Sequence, residues 1–82
     1  MAEVGANGVM AVPDPLQTFT TNLRKRRWAL DLTQEAVALE ALMDQSQYSR
    51  IERGEVDPSI RTVTRVARAL RTTPSELLRG IG

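Results

Sequence analysis

From residue 16 to residue 79 the chain divides into five short runs of helical spacing, each opened by a residue that can cap it. Leu16, Phe19, Leu23 and Leu30 recur near multiples of 3.6 and share a face with Arg27, which predicts a helix over 16–30. Thr33 is an N-cap for a second helix over 34–40, with Val37 and Ala38 inward and Ala41 at its end. Asp44 caps a third over 45–53, in which Tyr48 and Ile51 face in, and Gly54 closes it in the left-handed conformation. Pro58 and Ser59 start a fourth over 60–70, with Ile60, Val63, Val66, Ala67 and Leu70 on one face. Thr73, Pro74 and Glu76 form a capping box for a fifth over 74–79. Nothing alternates as strands do. Five short helices on short links predict a compact all-α domain.

That domain occupies 16–79. Residues 1–15 read as an N-terminal tail, flexible or docked, because Gly5, Gly8, Pro13 and Pro15 interrupt helical spacing while Val9, Met10 and Val12 are apolar. Residues 80–82 are a C-terminal end. The charge is uneven: all 11 basic residues follow residue 15, while the tail carries only Glu3 and Asp14. Ten of the 11 are Arg, the side chain suited to bidentate phosphate and base-edge contacts.

What the chain lacks narrows its chemistry. With no cysteine and no histidine there is no thiolate or imidazole to bind a metal or to act as nucleophile or base. No cofactor, metal site or small-molecule ligand is evident. No apolar run approaches the ~18 residues of a membrane span, and the start has no secretory pattern. These features predict a cytoplasmic binding protein rather than an enzyme.

The second and third helices form the informative unit. The outer face of the third carries Gln45, Ser46, Gln47, Ser49 and Arg50, and residues 45–50 contain no acid. Gln and Arg are the side chains that bond adenine and guanine edges in the major groove, and a face without carboxylates can approach phosphates. An ordinary solvated face would carry more Lys and Glu.

The stretch LTQEAVALEALMDQSQYSRIERGEVDPSIRTVTRVARAL resembles the helix-turn-helix regulators of the phage Cro/repressor, xenobiotic-response-element type. The match rests on Leu32-Thr33-Gln34-Glu35, Ser49-Arg50-Ile51-Glu52-Arg53-Gly54, Asp57-Pro58-Ser59, and Val66-Ala67-Arg68-Ala69-Leu70 followed by Ser75-Glu76-Leu77-Leu78. It spans about 16–79. The resemblance implies a five-helix fold with a helix-turn-helix at its second and third helices, and a double-stranded-DNA-binding transcription regulator, nucleoid-associated when bound. It casts Gln45, Ser46, Gln47, Ser49 and Arg50 as base readers and Gln34, Arg53, Arg61 and Thr62 as phosphate contacts. It also implies a Gln34–Gln45 hydrogen bond and a structural ion pair between Arg27 and Glu52. Three positions where the family commonly has glycine, after the first helix, in the turn before the third, and after the fourth, hold Asp31, Leu42 and Arg71. Arg26 stands where the family is usually apolar, a gap that Leu30 and the tail are expected to fill.

One recognition helix reads few base pairs, so a homodimer on a two-fold operator is expected, of the small repressor, autoregulator or controller kind. Trp28 lies off the core face, either beneath residues 9–12 or on a partner. Leu77, Leu78 and Ile81 are either core or a dimer surface. Arg65 and Arg68 read as a solvated face. A second reading stays open: a coactivator or adaptor module that uses this fold to bind a protein without reading bases.

Overall fold

The computed structural model describes residues 13–81, which form five helices and no strand. These are α1 (Pro15–Ala29), α2 (Gln34–Glu40), α3 (Gln45–Glu52), α4 (Ile60–Ala69) and α5 (Pro74–Leu77). Each start is fixed by a side chain. Asp14 accepts from the Leu16 N–H, Thr33 from Ala36, Ser59 from Thr62 and Thr73 from Glu76, all at 3.0–3.2 Å. At α3 the Gln47 Oε1 reaches back to the Asp44 N–H at 3.0 Å. Pro15 extends α1 one residue earlier than the periodicity predicts, since proline fits the first turn of a helix.

The first four helices end alike. Asp31, Leu42, Gly54 and Arg71 have φ of 58, 61, 71 and 56°. Around each, two bonds close the turn: Asp31 N–H to Trp28 O with Leu32 N–H to Arg27 O, and the corresponding pairs Leu42–Leu39 with Met43–Ala38, Gly54–Ile51 with Glu55–Arg50, and Arg71–Arg68 with Thr72–Ala67. This is the Schellman arrangement, which satisfies two carbonyls that the helix leaves free. The three non-glycine turns are therefore kept, not reshaped. A left-handed L-residue costs roughly 1–2 kcal/mol, which the two bonds and the packing around them offset.

The core gathers Phe19 and Leu23 of α1, Val37 and Ala38 of α2, Tyr48 and Ile51 of α3, Val63, Val66 and Ala67 of α4, then Leu70 and Leu77. Leu16, Leu30, Leu32 and Met43 pack against its edge. Two expectations are corrected. Ile60, placed by periodicity on the inner face of the fourth helix, is 85% exposed. It is the first residue of α4, and helical side chains lean toward the N-terminus, so it overhangs the core. Leu77 is no surface residue: it is buried where α5 meets α1 and α4. Asn22 holds that end by donating its amide to the carbonyls of Leu77 and Arg79, both at 2.9 Å.

Arg26 finds a polar task at its apolar position. Its Nε and Nη2 donate to the Leu70 and Arg71 carbonyls at 2.8 Å, capping the end of α4. The expectation that the tail helps fill this place concerns residues outside those described.

Candidate functional site

α2 and α3 are joined by a turn whose left-handed residue is Leu42, and this turn sets the angle at which α3 leaves the body. Along α3, positions 48, 51 and 52 are buried, so the helix presents its other side to solvent. Gln45, Ser46, Gln47 and Arg50 are exposed and Ser49 is half-buried. Gln45, Ser46, Ser49, Arg50 and Arg53 line one shallow concavity. Gln47 stands apart, its amide oxygen engaged with the Asp44 N–H and its side chain lining a second groove. That groove runs between α3 and the loop into α4, with Arg50, Ser59, Thr62 and Arg65 on its walls. Arg61 is exposed at the start of α4, and the half-buried Thr62 accepts a hydrogen bond from the Ser59 hydroxyl at 3.0 Å.

A buried carboxylate holds α3 in place. Glu52, 2% exposed, accepts four hydrogen bonds on its two oxygens. Arg27 gives two of them, Nε to Oε2 at 2.5 Å and Nη2 to Oε1 at 3.0 Å. Tyr48 Oη donates to Oε2 at 2.6 Å, and Gln34 Nε2 to Oε1 at 2.9 Å. Arg24 adds a bond to the Glu52 backbone carbonyl at 2.7 Å, and Arg27 Nη1 reaches the Leu32 carbonyl at 3.0 Å. Three helices thus converge on one residue. Burial alone would raise the Glu52 pKa, but the hydrogen bonds from Arg27, Tyr48 and Gln34 and the Arg27 charge outweigh it, so the carboxyl sits below its ordinary value. Burial, with the bond to Glu52, pushes the Tyr48 hydroxyl well above its ordinary value, so it stays a neutral donor. No buried side-chain polar atom among the described residues lacks a partner.

Arg27 and Glu52 are therefore brought together. Gln34 and Gln45 are not: the Gln34 amide is turned inward to Glu52, which offers a charged acceptor and so the stronger bond. Arg65 is also structural, since its Nε donates to the Ala41 carbonyl at 3.1 Å and caps α2, where a solvated face was expected.

Two side chains take part that the sequence pattern does not single out. The Tyr48 hydroxyl belongs to the buried network, and its spacing of four from Glu52 was the available signal. Glu55 pairs with Arg53 through Oε2 to Nε at 2.7 Å, and Arg53 Nη1 donates to Ser49 Oγ at 2.6 Å. On another side of the molecule, Trp28 is 59% exposed, with the Arg27 guanidinium 6.0 Å from its ring centre. Leu78 and Ile81 are partly exposed beside an apolar groove that Leu16, Phe19, Pro58 and Val63 also line. Among the described residues no helix is long and apolar enough to cross a membrane, and no cluster of carboxylates is placed to hold a metal ion.

The Helix-turn-helix family model matches residues 23–77, which covers α2, α3, α4 and α5 and the second half of α1. Among solved structures, the restriction-modification controller protein C.AhdI from Aeromonas hydrophila is 35% identical, with a TM-score of 0.73 over 76% of this chain and 94% of that one. The clp gene regulator ClgR from C. glutamicum shares the fold at 22% identity, with a TM-score of 0.76 over 82% of this chain and 87% of that one. Comparison with curated protein sequences gives no match.

Proposed function

Because the chain belongs to the helix-turn-helix family of non-enzymatic, DNA-binding transcription regulators, we propose that it reads a specific double-stranded operator as a homodimer and serves as a small repressor, autoregulator or controller. The observation that carries this reading is the outer face of α3. Gln45, Ser46, Ser49 and Arg50 share one concave, acid-free surface, while Glu52 on the opposite side fixes the helix to α1 and α2. Side chains held on a rigid element can present donors and acceptors at set spacings, which base-edge readout in the major groove requires.

In this reading Gln45, Ser46, Ser49 and Arg50 contact base edges. Gln47, committed to the cap, contributes through the groove it lines. Arg53, Arg61, Thr62 and the start of α4 face phosphates, and Gln34 approaches one with the second N–H of the amide that gives its first to Glu52. Affinity from phosphate neutralisation falls steeply with salt. Two-fold pairing places two α3 helices about one turn of DNA, ~34 Å, apart and doubles the sequence read. Leu78 and Ile81, beside their apolar groove, and Trp28 are the surfaces assigned to a second copy or a partner protein. That C.AhdI controls restriction–modification supports a controller role.

Selection of bound duplexes from a random pool tests the proposal. A two-fold consensus with half-sites one helical turn apart is expected. The exposed Trp28 favours the adaptor reading, in which no duplex is retained even at low salt; that result would overturn DNA reading.

A further inference from the structure

Arg53 and Glu55 lie at the end of α3, and the contacts between them decide what the arginine can do. Glu55 takes the side edge of the guanidinium, with Nε at 2.7 Å from Oε2 and Nη2 at 3.3 Å from Oε1. Ser49 Oγ takes one N–H from Nη1 at 2.6 Å. A guanidinium has five N–H donors. Three are used, and the two that remain sit one on each terminal nitrogen. Arg53 lines the same concavity as Gln45, Ser46, Ser49 and Arg50. Its charge is balanced locally by Glu55, which also feels Arg50.

We propose that Glu55 is a positioning residue for DNA recognition: it holds the Arg53 guanidinium over Ser49 as a directed two-donor fork for an acceptor pair on the duplex. The inference rests on the DNA-binding reading above. The acceptor chemistry is shared by the O6/N7 edge of guanine and by two phosphate oxygens. The neutralised charge favours the base edge over the phosphate contact given to Arg53 above, because a paired arginine adds little net charge to the counterion balance while its geometry is retained. A carboxylate facing DNA is otherwise a liability, since it repels phosphate. Its presence beside the reading surface is accounted for if it orders a long side chain before binding, which otherwise costs ordering free energy equivalent to roughly three- to tenfold in affinity.

The test compares wild type, Glu55→Gln, Arg53→Ala and the double variant on two probes: the duplex recovered by selection and a random-sequence duplex of equal length. Far-UV melting of each variant checks that the fold is kept, as both side chains are exposed. Positioning predicts that Glu55→Gln weakens the selected duplex roughly three- to tenfold, and that in the Arg53→Ala background the Glu55 change has no effect. It also predicts that Glu55→Asp, whose shorter arm keeps the charge but not the fork, fails to restore full affinity. A loss confined to the selected duplex assigns the fork to a base edge; an equal loss on both probes with an unchanged salt slope assigns it to phosphate. If Glu55→Gln instead tightens both duplexes and steepens the salt dependence, Glu55 is only a repelling charge and the inference falls. If the wild type binds neither probe at low salt, the DNA reading falls with it.

Discussion

Replacing Glu52 with Gln removes a charge without changing shape. The carboxylate is 2% exposed and receives Arg27, Tyr48 and Gln34. In Glu52→Gln the guanidinium of Arg27 stays half-enclosed beside Trp28 with no anion, and one amide nitrogen points a donor at donors. Breaking a buried ion pair from one side costs about 3–5 kcal/mol. A domain of this length is stable by about 4–12 kcal/mol, at 0.05–0.15 kcal/mol per residue, so the variant loses a large share of its stability. At about 4–8 °C per kcal/mol for a small domain, its melting temperature falls by roughly 12–40 °C. The effect also has a sign in pH. Folded Glu52 titrates below its ordinary value. Its contribution is therefore complete above the unfolded carboxylate range, about pH 4.3, and is lost as pH falls through the lower folded value. Melting both proteins by far-UV circular dichroism between pH 7 and pH 3 measures this. The two melting curves should lie far apart at pH 7 and converge in acid. A gap under 2 °C at pH 7, or one of constant size across the range, refutes the reasoning.

Two further substitutions separate conformation from contact. Gly54→Ala places a Cβ 3.9 Å from the Thr20 methyl group, an ordinary contact, so only the left-handed backbone resists it. The cost should be about 1 kcal/mol, or roughly 4–8 °C in melting temperature, and a loss several times larger would show that the turn has no room. Arg50→Ala should leave melting unchanged, weaken the selected duplex by about 1–3 kcal/mol and relax its preference at one base pair. Unchanged discrimination across operator variants, measured by competition, would remove Arg50 from the readers.

The elements legible in the sequence were those with local causes. α2 runs from Gln34 to Glu40 as periodicity and the Thr33 cap predict, because both signals lie within a few residues. The polar face of α3 was equally plain. Where side chains meet from distant segments, type alone misled. Arg26 looked like a charge in an apolar place until the carbonyls of Leu70 and Arg71 came within 2.8 Å of it. Gln34 is expected against Gln45, and only the packing of α2 on α3 shows that its amide nitrogen reaches the Glu52 carboxylate instead, at 2.9 Å. Ile60 satisfies the spacing of a core residue, yet spacing does not say where the body ends. Asp31, Leu42 and Arg71 stand where glycine was expected and keep the same backbone, so the turn is set by the closing bonds as much as by the residue.

The position of Glu52 gives α3 a pivot. It is the last residue of the helix, and Tyr48, one turn before it, is tied to the same carboxylate. Gln45 and Ser46 lie at the other end, where the turn through Leu42 is the nearest attachment. At 1.5 Å per residue that end is about 10 Å from the pivot, so a tilt of about 5° moves it by about 1 Å. Such a displacement exceeds the tolerance of a base-edge hydrogen bond. In the function proposed above, the choice of DNA sequence is then set partly from the far end of α3: a change at Arg27 or Tyr48 re-aims the proposed reading end as a change at the fulcrum re-aims a lever.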